Sequence, residues 1–540
     1  MTVRQRLSSI LAACAVTIGL CATALAPAAT ATERASQAPS AAAAATAVVA
    51  PAGWSVVEKP IQPHTLSVTV ALVAPQGTTP SFDTALARQS VESAGTFLSR
   101  ETNGAVTVQV DRVVDWMYVD NDTPCSWAGT LQDWVQPRIG WQGGPGKHLV
   151  VMVPPGDPCP DWANGEQNWA VDAGGRSFVP GTDPSAVAHE LGHNMSMFHS
   201  SSIGCDGGWD FSTLGAGVPA NCYRTEYGNR LDVMGGAWTF NPFPAATLDR
   251  IGMLPRRYEP TCGAVRTLNA TSVGAAAQAR EAISFADPRD PAARYWVDFR
   301  AQADANIYNY LHGTGLAFKP NRDGVQITRN DPNQWDAPTV LSRPYDGDDH
   351  RQLTAVNERV TLGGGAWVEY KGTASNGEGV IDVFVPCRAF ETTLIAQHSG
   401  LCLDNANWSS ADGNLQAQYG CGTAAVQRFA FIRVPGVVNT YTIVNRHSGK
   451  CLDIGGASTT NGAAVQQWTC TGGTNQQFTL RAATYSGATA KDFQLIARHS
   501  SKCAVVTGGS TAAGAGISQT TCTSANQAAT VKQAWRLTGA

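Results

Sequence analysis

The sequence predicts a multidomain protein: an α/β domain, then a small β-rich domain, then an all-β domain with threefold internal repetition. The chain has 540 residues, more than one domain usually holds. Up to residue 260 the apolar pattern alternates between strand and helix periodicity, whereas 261–388 has short apolar runs separated by Gly, Pro, Asn and Asp. A cysteine-spaced repeat then recurs three times within 389–540.

The N-terminal residues have the pattern of a secretory signal. Within 1–31, two arginines precede an apolar stretch, and small residues that suit cleavage follow it. Cys14 also completes a lipoprotein-like motif, but the apolar region before it would be very short. An Ala-rich, low-complexity segment occupies 32–62. We therefore expect a secreted, extracellular protein.

Composition narrows the possible partners. The formal net charge is −4, charged residues make up 15% of the chain, and no long basic run is present. Nucleic acid is therefore not an expected partner, and neither is a membrane surface. Beyond the signal, no apolar stretch is long enough to span a bilayer. We expect the chain to act as a monomer.

Cysteine usage supports export. Two of the 14 cysteines, Cys14 and Cys21, lie in the signal segment, which leaves 12 for the mature chain. An even number of cysteines in an exported protein indicates disulfides rather than free thiols. Proximity along the chain suggests these pairs, although sequence alone leaves other pairings open: Cys125 with Cys159, Cys205 with Cys222, and Cys262 with Cys387.

The segment 63–260 has the element order of an α/β domain. Residues 66–73 alternate and are β-branched, as a strand requires, and 82–98 has helical periodicity. Residues 105–113 and 147–153 have the pattern of further strands. A helix follows, with Thr182 or Asp183 as its N-cap and Pro184 in the first turn.

That helix carries the most informative motif, HELGHNMSMFH from His189 to His199. Residues four apart lie on one helix face, so His189 and His193 can direct their imidazoles to one point. His199 would return to the same point after the helix ends. Three histidines with an open fourth position are typical of catalytic Zn²⁺, and Glu190 is placed to act as a general base.

The extended motif HExxHxxSxxH resembles the metzincin clan of zinc endopeptidases, and the gametolysin family in particular. LDVMGG at 231–236 resembles the Met turn of that clan, with Met234 below the metal. The resemblance covers about residues 66–254. It implies that His189, His193 and His199 bind zinc and that Glu190 is the catalytic base acting on a zinc-activated water.

One position departs from the family. Ser196 stands where the family usually has Gly and where the chain turns sharply away from the helix. A left-handed conformation at a residue other than Gly costs on the order of 1 kcal/mol. If His199 were not a ligand, Asp210 or Glu226 would be the substitutes. We see no clear carboxylate loop for calcium.

The C-terminal region repeats a motif three times. The copies are HSGLCLD at 398–404, HSGKCLD at 447–453 and HSSKCAV at 499–505. Each copy has a second Cys 19 residues on and then a Gln-x-aromatic triplet. The cysteine pairs are Cys402 with Cys421, Cys451 with Cys470, and Cys503 with Cys522. Fixed spacing in three copies predicts a closed, threefold all-β unit.

This region resembles the ricin-type β-trefoil lectin domain. The resemblance implies sugar binding by an Asp with an aromatic residue: Asp404 with Tyr419 in the first repeat, and Asp453 with Trp468 in the second. A carboxylate gives strong hydrogen bonds to hydroxyl groups, and an aromatic face suits the C–H side of a sugar. In the second repeat, Gln466 and Asn475 would add polar contacts to the sugar. In the third repeat, Val505 replaces the Asp and Thr520 replaces the aromatic residue.

We expect the third repeat to be structurally intact but weak for sugar. The repeated histidines His398, His447 and His499 are interpreted as structural. In the middle domain, His312 and His350 have no ligand spacing around them and are interpreted as solvated.

Three functions fit these patterns. The first is a secreted zinc endopeptidase that a lectin domain directs to glycans or glycoproteins. The second is a carbohydrate-binding adhesin whose metal site is structural or inactive, but a structural site has no need of a base such as Glu190. The third is a metal-dependent hydrolase of acyl groups on glycans.

Overall fold

The computed structural model describes eleven stretches of the chain: 50–119, 128–156, 162–205, 222–236, 240–272, 281–289, 292–302, 323–330, 339–342, 352–524 and 528–538. The signal segment and five residues discussed above lie outside them: Cys125, Cys159, Asp210, His312 and His350. By length and hydropathy, no helix in the described stretches qualifies as a membrane span.

The N-terminal part combines strands and helices. Its described elements are β1 (Trp54–Glu58), β2 (His64–Ala74), α1 (Thr84–Glu101), β3 (Val106–Tyr118), α2 (Ala128–Arg138), β4 (Lys147–Val153), β5 (Asn164–Gly165), β6 (Gly175–Pro180), α3 (Pro184–Asn194), β7 (Ser201–Cys205), β8 (Cys222–Thr225), α4 (Ala245–Arg250) and β9 (Arg256–Pro260).

Strands alone make up the regular structure described in the middle part, apart from one short turn of 3₁₀ helix. They are β10 (Val265–Ala270), β11 (Glu281–Ala286), β12 (Arg294–Arg300), β13 (Gly324–Asn330), β14 (Thr339–Ser342), β15 (Glu358–Thr361), β16 (Trp367–Thr373) and β17 (Gly379–Phe384).

The described residues of the C-terminal part contain twelve strands, which form one sheet. They are β18 (Arg388–Ala396), β19 (Cys402–Asn405), β20 (Gln416–Tyr419), β21 (Phe429–Arg433), β22 (Thr440–Asn445), β23 (Cys451–Ile454), β24 (Val465–Trp468), β25 (Gln477–Ala482), β26 (Asp492–Ala497), β27 (Lys502–Val506), β28 (Ile517–Thr521) and β29 (Trp535–Thr538).

A five-stranded sheet in the order β3-β2-β4-β6-β5 supports the motif helix α3. Its strands are parallel except for β5, which is antiparallel to β6 at the edge. α1 and α3 pack over this sheet, and Phe97 of α1 stacks on Phe240 with ring centroids 4.6 Å apart. The strands and the helix predicted for 66–153 all form, and β3 runs five residues further than expected, to Tyr118.

An eight-stranded sheet changes the predicted domain limits. Its order is β1-β9-β11-β12-β13-β14-β7-β8, so strands from both sides of residue 260 share it. β1 also corrects the low-complexity segment predicted over 32–62, because Trp54 is buried and packs edge-on against Tyr258. These pairings are long-range, which is why local periodicity did not indicate them.

Five disulfides lie within the described residues. Cys205 joins Cys222 across β7 and β8, and Cys262 joins Cys387 at the two ends of the middle part. The other three close the C-terminal repeats and have the same sequence separation of 19: Cys402 with Cys421, Cys451 with Cys470, and Cys503 with Cys522. These are the pairs that spacing suggested, except that Cys125 and Cys159 lie outside the described residues.

Candidate functional site

The helix α3 begins where its sequence signals indicate. The side chain of Asp183 accepts a hydrogen bond from the backbone N–H of Ser185 at 2.8 Å, so Asp183 is the N-cap rather than Thr182. Pro184 occupies the first helical position, where its missing N–H costs nothing. The helix carries His189, Glu190 and His193, and Glu190 lies against Gly165 of the antiparallel edge strand β5.

Three imidazoles converge to form the candidate metal centre, defined as His189, His193 and His199. One nitrogen from each ring lies within 4.8 Å of the others, and the Nε2 atoms of His193 and His199 are 3.0 Å apart. Zn²⁺ bonds to imidazole nitrogen at about 2.0–2.1 Å, so a cluster of this size fits a single ion.

The Nδ1 atom of each histidine lies against a hydrogen-bond acceptor. The pairs are His189 with the Val233 carbonyl at 2.8 Å, His193 with the Met197 carbonyl at 2.9 Å and Gln167 Oε1 at 3.1 Å, and His199 with Glu226 Oε1 at 2.7 Å. Because carbonyl and carboxylate oxygens only accept, each Nδ1 must carry the proton. The Nε2 lone pairs are then free for a metal, which is the outer-shell arrangement that metal-binding histidines use.

Burial favours the neutral, ligating form of the two helical histidines. It lowers the pKa of His189 to about 4, against the hydrogen bond to Val233, which raises it. It lowers the pKa of His193 to about 3, with the neighbouring imidazoles adding to the effect. Both rings are therefore neutral at neutral pH, as metal binding requires.

The end of α3 brings His199 back to the other two histidines. The N–H of Met197 donates to the Gly192 carbonyl and the N–H of Ser196 donates to the His193 carbonyl, which together form a Schellman motif. Ser196 has φ +73°, in the left-handed region that usually selects Gly. The helix therefore ends in a tight turn although this residue is not glycine, and His199 reaches the centre.

Met234 lies directly below the helix and is fully buried. Its N–H donates to Asp232 Oδ1 at 3.0 Å, and its carbonyl accepts from the N–H of Ser200. A Cβ added to Gly192 would lie 2.5 Å from the Met234 sulfur, so the absence of a side chain at Gly192 makes this contact possible. The two segments that the sequence associated, 189–199 and 231–236, thus form one structure.

Glu190 is a buried carboxylate beside the three histidines, with 4% of its surface exposed. Burial raises its pKa to about 8, while a hydrogen bond from the backbone of Gly165 on β5 lowers it. A cavity opens next to Glu190 and His189. Its other lining residues are Trp162, Ala163, Ser185, Ala186, Tyr227, Val233 and Gly235.

Sequence reasoning missed Tyr227 and treated Glu226 only as a substitute ligand. The Tyr227 ring lies 3.9 Å from the His199 ring, centroid to centroid, and is 39% exposed. Burial, with the charges of Glu190 and Glu226, raises the Tyr227 pKa to about 12, so its hydroxyl is a donor at neutral pH. Glu226 contacts His199 from the outside, and Asp210 lies outside the described residues.

The C-terminal repeats contain two further candidate sites. The first-repeat site comprises Asp404, Tyr419 and Gln427, and Gln427 donates to Asp404 Oδ2 at 2.8 Å. Tyr419 pairs directly with Cys402 on the neighbouring strand and is 37% exposed. The predicted Asp and aromatic therefore belong to adjacent strands.

The second-repeat site comprises Asp453, Trp468 and Gln476. Three side-chain amides donate to the Asp453 carboxylate: Gln466 at 3.0 Å, Asn475 at 2.8 Å and Gln476 at 3.0 Å. Burial raises the pKa of Asp453 against these hydrogen bonds, which lower it. Gln466 and Asn475 thus lie beside Asp453, and their contact with a sugar stays a prediction. Trp468 is 41% exposed, on the strand paired with that of Asp453.

In the third repeat, Val505 and Thr520 occupy the equivalent positions and line one shallow cavity. Gln533 remains, and its amide donates to the Thr521 carbonyl as Gln427 and Gln476 donate to the matching carbonyls, but Val505 offers it no carboxylate. The repeat keeps its fold and lacks the charged acceptor.

The repeated histidines join the three repeats in a cycle. Their Nε2 atoms contact backbone carbonyls of another repeat: His398 with Ser510, His447 with Trp408, and His499 with Ser458. Three glutamines that sequence reasoning missed make equivalent contacts: Gln418, Gln467 and Gln519. These contacts are the structural role that the sequence predicted for the histidines.

Comparison with known proteins concerns this same region. Residues 388–468 and 427–520 match the family described as "Ricin-type beta-trefoil lectin domain-like". The C-terminal part of the chain is therefore a ricin B-type β-trefoil lectin domain. The comparison with curated proteins gives no match.

Several solved structures are similar over the same share of the chain. ThreeFoil, a designed 3-fold symmetric protein, is 37% identical over 27% of this chain and 96% of its own, with a TM-score of 0.24. The Rhizoctonia solani agglutinin is 19% identical over 28% of this chain and 96% of its own, with a TM-score of 0.23. A Macrolepiota procera ricin B-like lectin, solved with lactose, is 13% identical over 28% and 96%, with a TM-score of 0.23.

Proposed function

We propose that this chain is a secreted zinc endopeptidase that its lectin domain directs to glycans or glycoproteins. One observation carries the proposal. Three histidines whose Nδ1 protons are already committed present their Nε2 atoms to one point, beside the buried carboxylate of Glu190. A purely structural metal site would have no use for an unligated carboxylate.

His189, His193 and His199 would hold the ion. When bound, Zn²⁺ supplies a Lewis acid that polarises a peptide carbonyl, lowers the pKa of water and favours the ionised form of Glu190. Glu190 accepts a proton from the attacking water at its carboxylate and then delivers it to the leaving amine. The Gly165 N–H orients Glu190, and burial keeps bulk water away from its carboxylate.

The cleft also offers a way to hold an extended peptide. β5 is the last strand of its sheet in the described part of the chain, and Gly165 on β5 contacts Glu190. An extended substrate can pair with such an edge through backbone hydrogen bonds. This pairing would bring a scissile bond close to Glu190. It favours a peptide over a small acyl group on a sugar as the substrate.

The lectin domain supplies the second half of the proposal. Asp404 and Asp453 each lie beside a half-exposed aromatic ring, a combination that suits the hydroxyl groups and the C–H face of a sugar. Binding to a glycan would raise the local concentration of nearby protein substrate. Five disulfides in the described residues suit an oxidising, extracellular environment.

The decisive variant is Glu190→Gln in the mature full-length protein. It should keep its zinc and lose at least about 100-fold in casein hydrolysis, because a general base contributes 10²–10⁴-fold. The measurement combines initial rates, with and without a chelator, and zinc content. Glu92→Gln is the matched control, because this carboxylate is 55% exposed on another helix.

Two results would contradict the proposal. Full activity of Glu190→Gln would remove Glu190 from the chemistry. A wild-type protein that binds one zinc ion but cleaves neither casein nor a glycoprotein would refute the endopeptidase. The carbohydrate-binding adhesin would then be the better proposal.

A further inference from the structure

The first-repeat and second-repeat sites differ in how many hydrogen bonds the Asp carboxylate already accepts from neighbouring side chains. Within the described residues, one side-chain amide, that of Gln427, bonds to Asp404, whereas three bond to Asp453. The positions of Gln466 and Asn475 are taken in the first repeat by Ala417 and Val426. A carboxylate offers about four acceptor positions, so Asp404 keeps more of them for a ligand, in less polar surroundings.

Trp408 has no aromatic counterpart in the other repeats. It ends a short 3₁₀ turn, Ala406–Trp408, which recurs as Gly455–Ala457 and Thr507–Gly509. The same position is therefore Trp, Ala and Gly in the three copies.

The backbone at Trp408 is unfavourable for so large a residue. Its φ is +55°, in the left-handed region that disfavours side chains, and the matching Ala457 and Gly509 have φ +48° and +64°. Trp408 is also 61% exposed, so burial returns little of that cost. Because all three copies share this conformation, the fold imposes it, and Trp408 differs from its counterparts in carrying a large exposed aromatic ring.

The ring is nevertheless held in place. His447 Nε2 lies 2.8 Å from the Trp408 carbonyl oxygen, and the two rings meet edge to face with centroids 5.4 Å apart. A ring fixed before binding loses less conformational entropy when a ligand stacks on it.

Trp408 shares one groove with the first-repeat site. The groove has a volume of about 440 Å³, and both Trp408 and Tyr419 line it together with Asp404. Two aromatic faces around one carboxylate provide two stacking platforms, whereas Trp468 is the one aromatic residue identified at the second-repeat site.

We propose that Trp408 forms an additional subsite that binds the second sugar ring of a glycan. The first-repeat site then selects disaccharides and longer glycans with apolar pyranose faces. The second-repeat site recognises one ring through the amide-braced Asp453. This inference rests on the proposed sugar-binding function of the lectin domain.

The test compares Trp408→Gly and Trp408→Phe in the full-length protein on an array of galactosides and glucosides of one, two and four rings. Gly suits the left-handed backbone, as Gly509 shows, so Trp408→Gly should fold. It should weaken binding of the longer glycans about two- to tenfold and leave binding of single-ring sugars unchanged, since only a second ring would stack on Trp408. Trp408→Phe should restore most of the loss.

Trp468→Ala is the matched variant, and it should weaken single-ring sugars while keeping the preference for longer glycans. If Trp408→Gly bound every glycan as the wild type does, the subsite would be refuted and the lectin function would stand. A wild-type protein that bound no glycan on the array would overturn both.

Discussion

At the scale of single residues, the candidate metal centre depends on partners that lie far away in sequence. Val233 and Glu226 fix the tautomers of His189 and His199 from a segment 27 to 44 residues later. The motif predicted the three ligands because ligand spacing is a local property of a helix. It did not predict these acceptors, because their positions depend on how the chain returns beneath the helix.

Ser196 shows a local rule overridden by its surroundings. The resemblance places Gly at this position, yet the helix ends in the same Schellman geometry with φ +73° at Ser196. The Ser196 carbonyl also accepts a hydrogen bond from Arg250 Nε at 3.0 Å. Such contacts offset a strain on the order of 1 kcal/mol.

Another residue-scale consequence concerns acid stability. Asp492 accepts hydrogen bonds from the Arg536 guanidinium at 2.8 and 3.0 Å, from the Tyr485 hydroxyl at 2.7 Å and from the Thr489 N–H. Burial acts to raise its pKa, but these donors outweigh burial and lower the pKa from 3.8 to about 2. The unfolded chain therefore binds this proton more readily than the folded chain.

The stabilisation from Asp492 should be complete above pH 4 and should be lost as the pH falls towards 2. Asp492→Asn should lower the unfolding midpoint at pH 7 and flatten its pH dependence between 4 and 2, as measured by thermal unfolding of the full-length protein. Arg536→Gln should raise the Asp492 pKa and move the acid transition to higher pH. An unchanged pH profile in both variants would refute the assignment.

At the scale of elements, the end of α3 and the Met234 turn act as one unit. The helix ends at Asn194, and its interior Gly192 leaves room for the Met234 sulfur. The sequence predicted the helix, its cap region and the association with Met234. The reason for Gly192 became visible only with the turn packed against it.

Gly192→Ala tests this packing. Ala in a helix interior normally stabilises by about 1 kcal/mol relative to Gly. Here the new Cβ would lie 2.5 Å from the Met234 sulfur, and overpacking costs about 1–3 kcal/mol. We expect a lower unfolding midpoint and weaker zinc affinity, measured by thermal unfolding and by zinc titration.

Gly129→Ala in α2 is the control, because nothing lies within 4 Å of the added Cβ. It should leave zinc affinity unchanged and leave stability equal or slightly higher. A stabilised Gly192→Ala variant with normal zinc affinity would show that the Met234 contact is not tight.

At the scale of the whole molecule, the two candidate functions lie in parts of the chain with separate cores. The centre at His189, His193 and His199 lies on the α/β part, and Asp404 and Asp453 lie on the lectin domain. The lectin domain would therefore act by tethering and leave the chemistry unchanged.

Tethering gives a prediction about substrates. We expect the wild type to cleave a glycoprotein faster than the same protein after enzymatic deglycosylation. The double variant Asp404→Ala, Asp453→Ala should lower this ratio of rates, glycosylated over deglycosylated, by about tenfold or more. The measurement is the initial rate on both forms of the substrate. An unchanged ratio would refute the proposal that the lectin domain directs cleavage.

Sequence reasoning recovered local and periodic features best. The repeat around Cys402, Cys451 and Cys503 predicted the lectin domain, because threefold spacing survives in the sequence. The strand at Trp54 and the extent of the eight-stranded sheet escaped, because pairing between strands 200 residues apart leaves no local period. Trp408 was not predicted as a site residue, because the other two repeats have no aromatic residue at its position.

The eight-stranded sheet limits where the gene can be divided, because its strands come from both sides of residue 260. β7 begins two residues after His199 and pairs in parallel with β14, while β9 pairs in parallel with β11. A truncated chain that ended at residue 260 would keep all three histidines, but β7 would keep only β8 as a neighbour and β9 only β1, so each strand would have one open edge. Recombination that transplants the part with the candidate metal centre into another protein must therefore carry the strands up to Ser342 along with it.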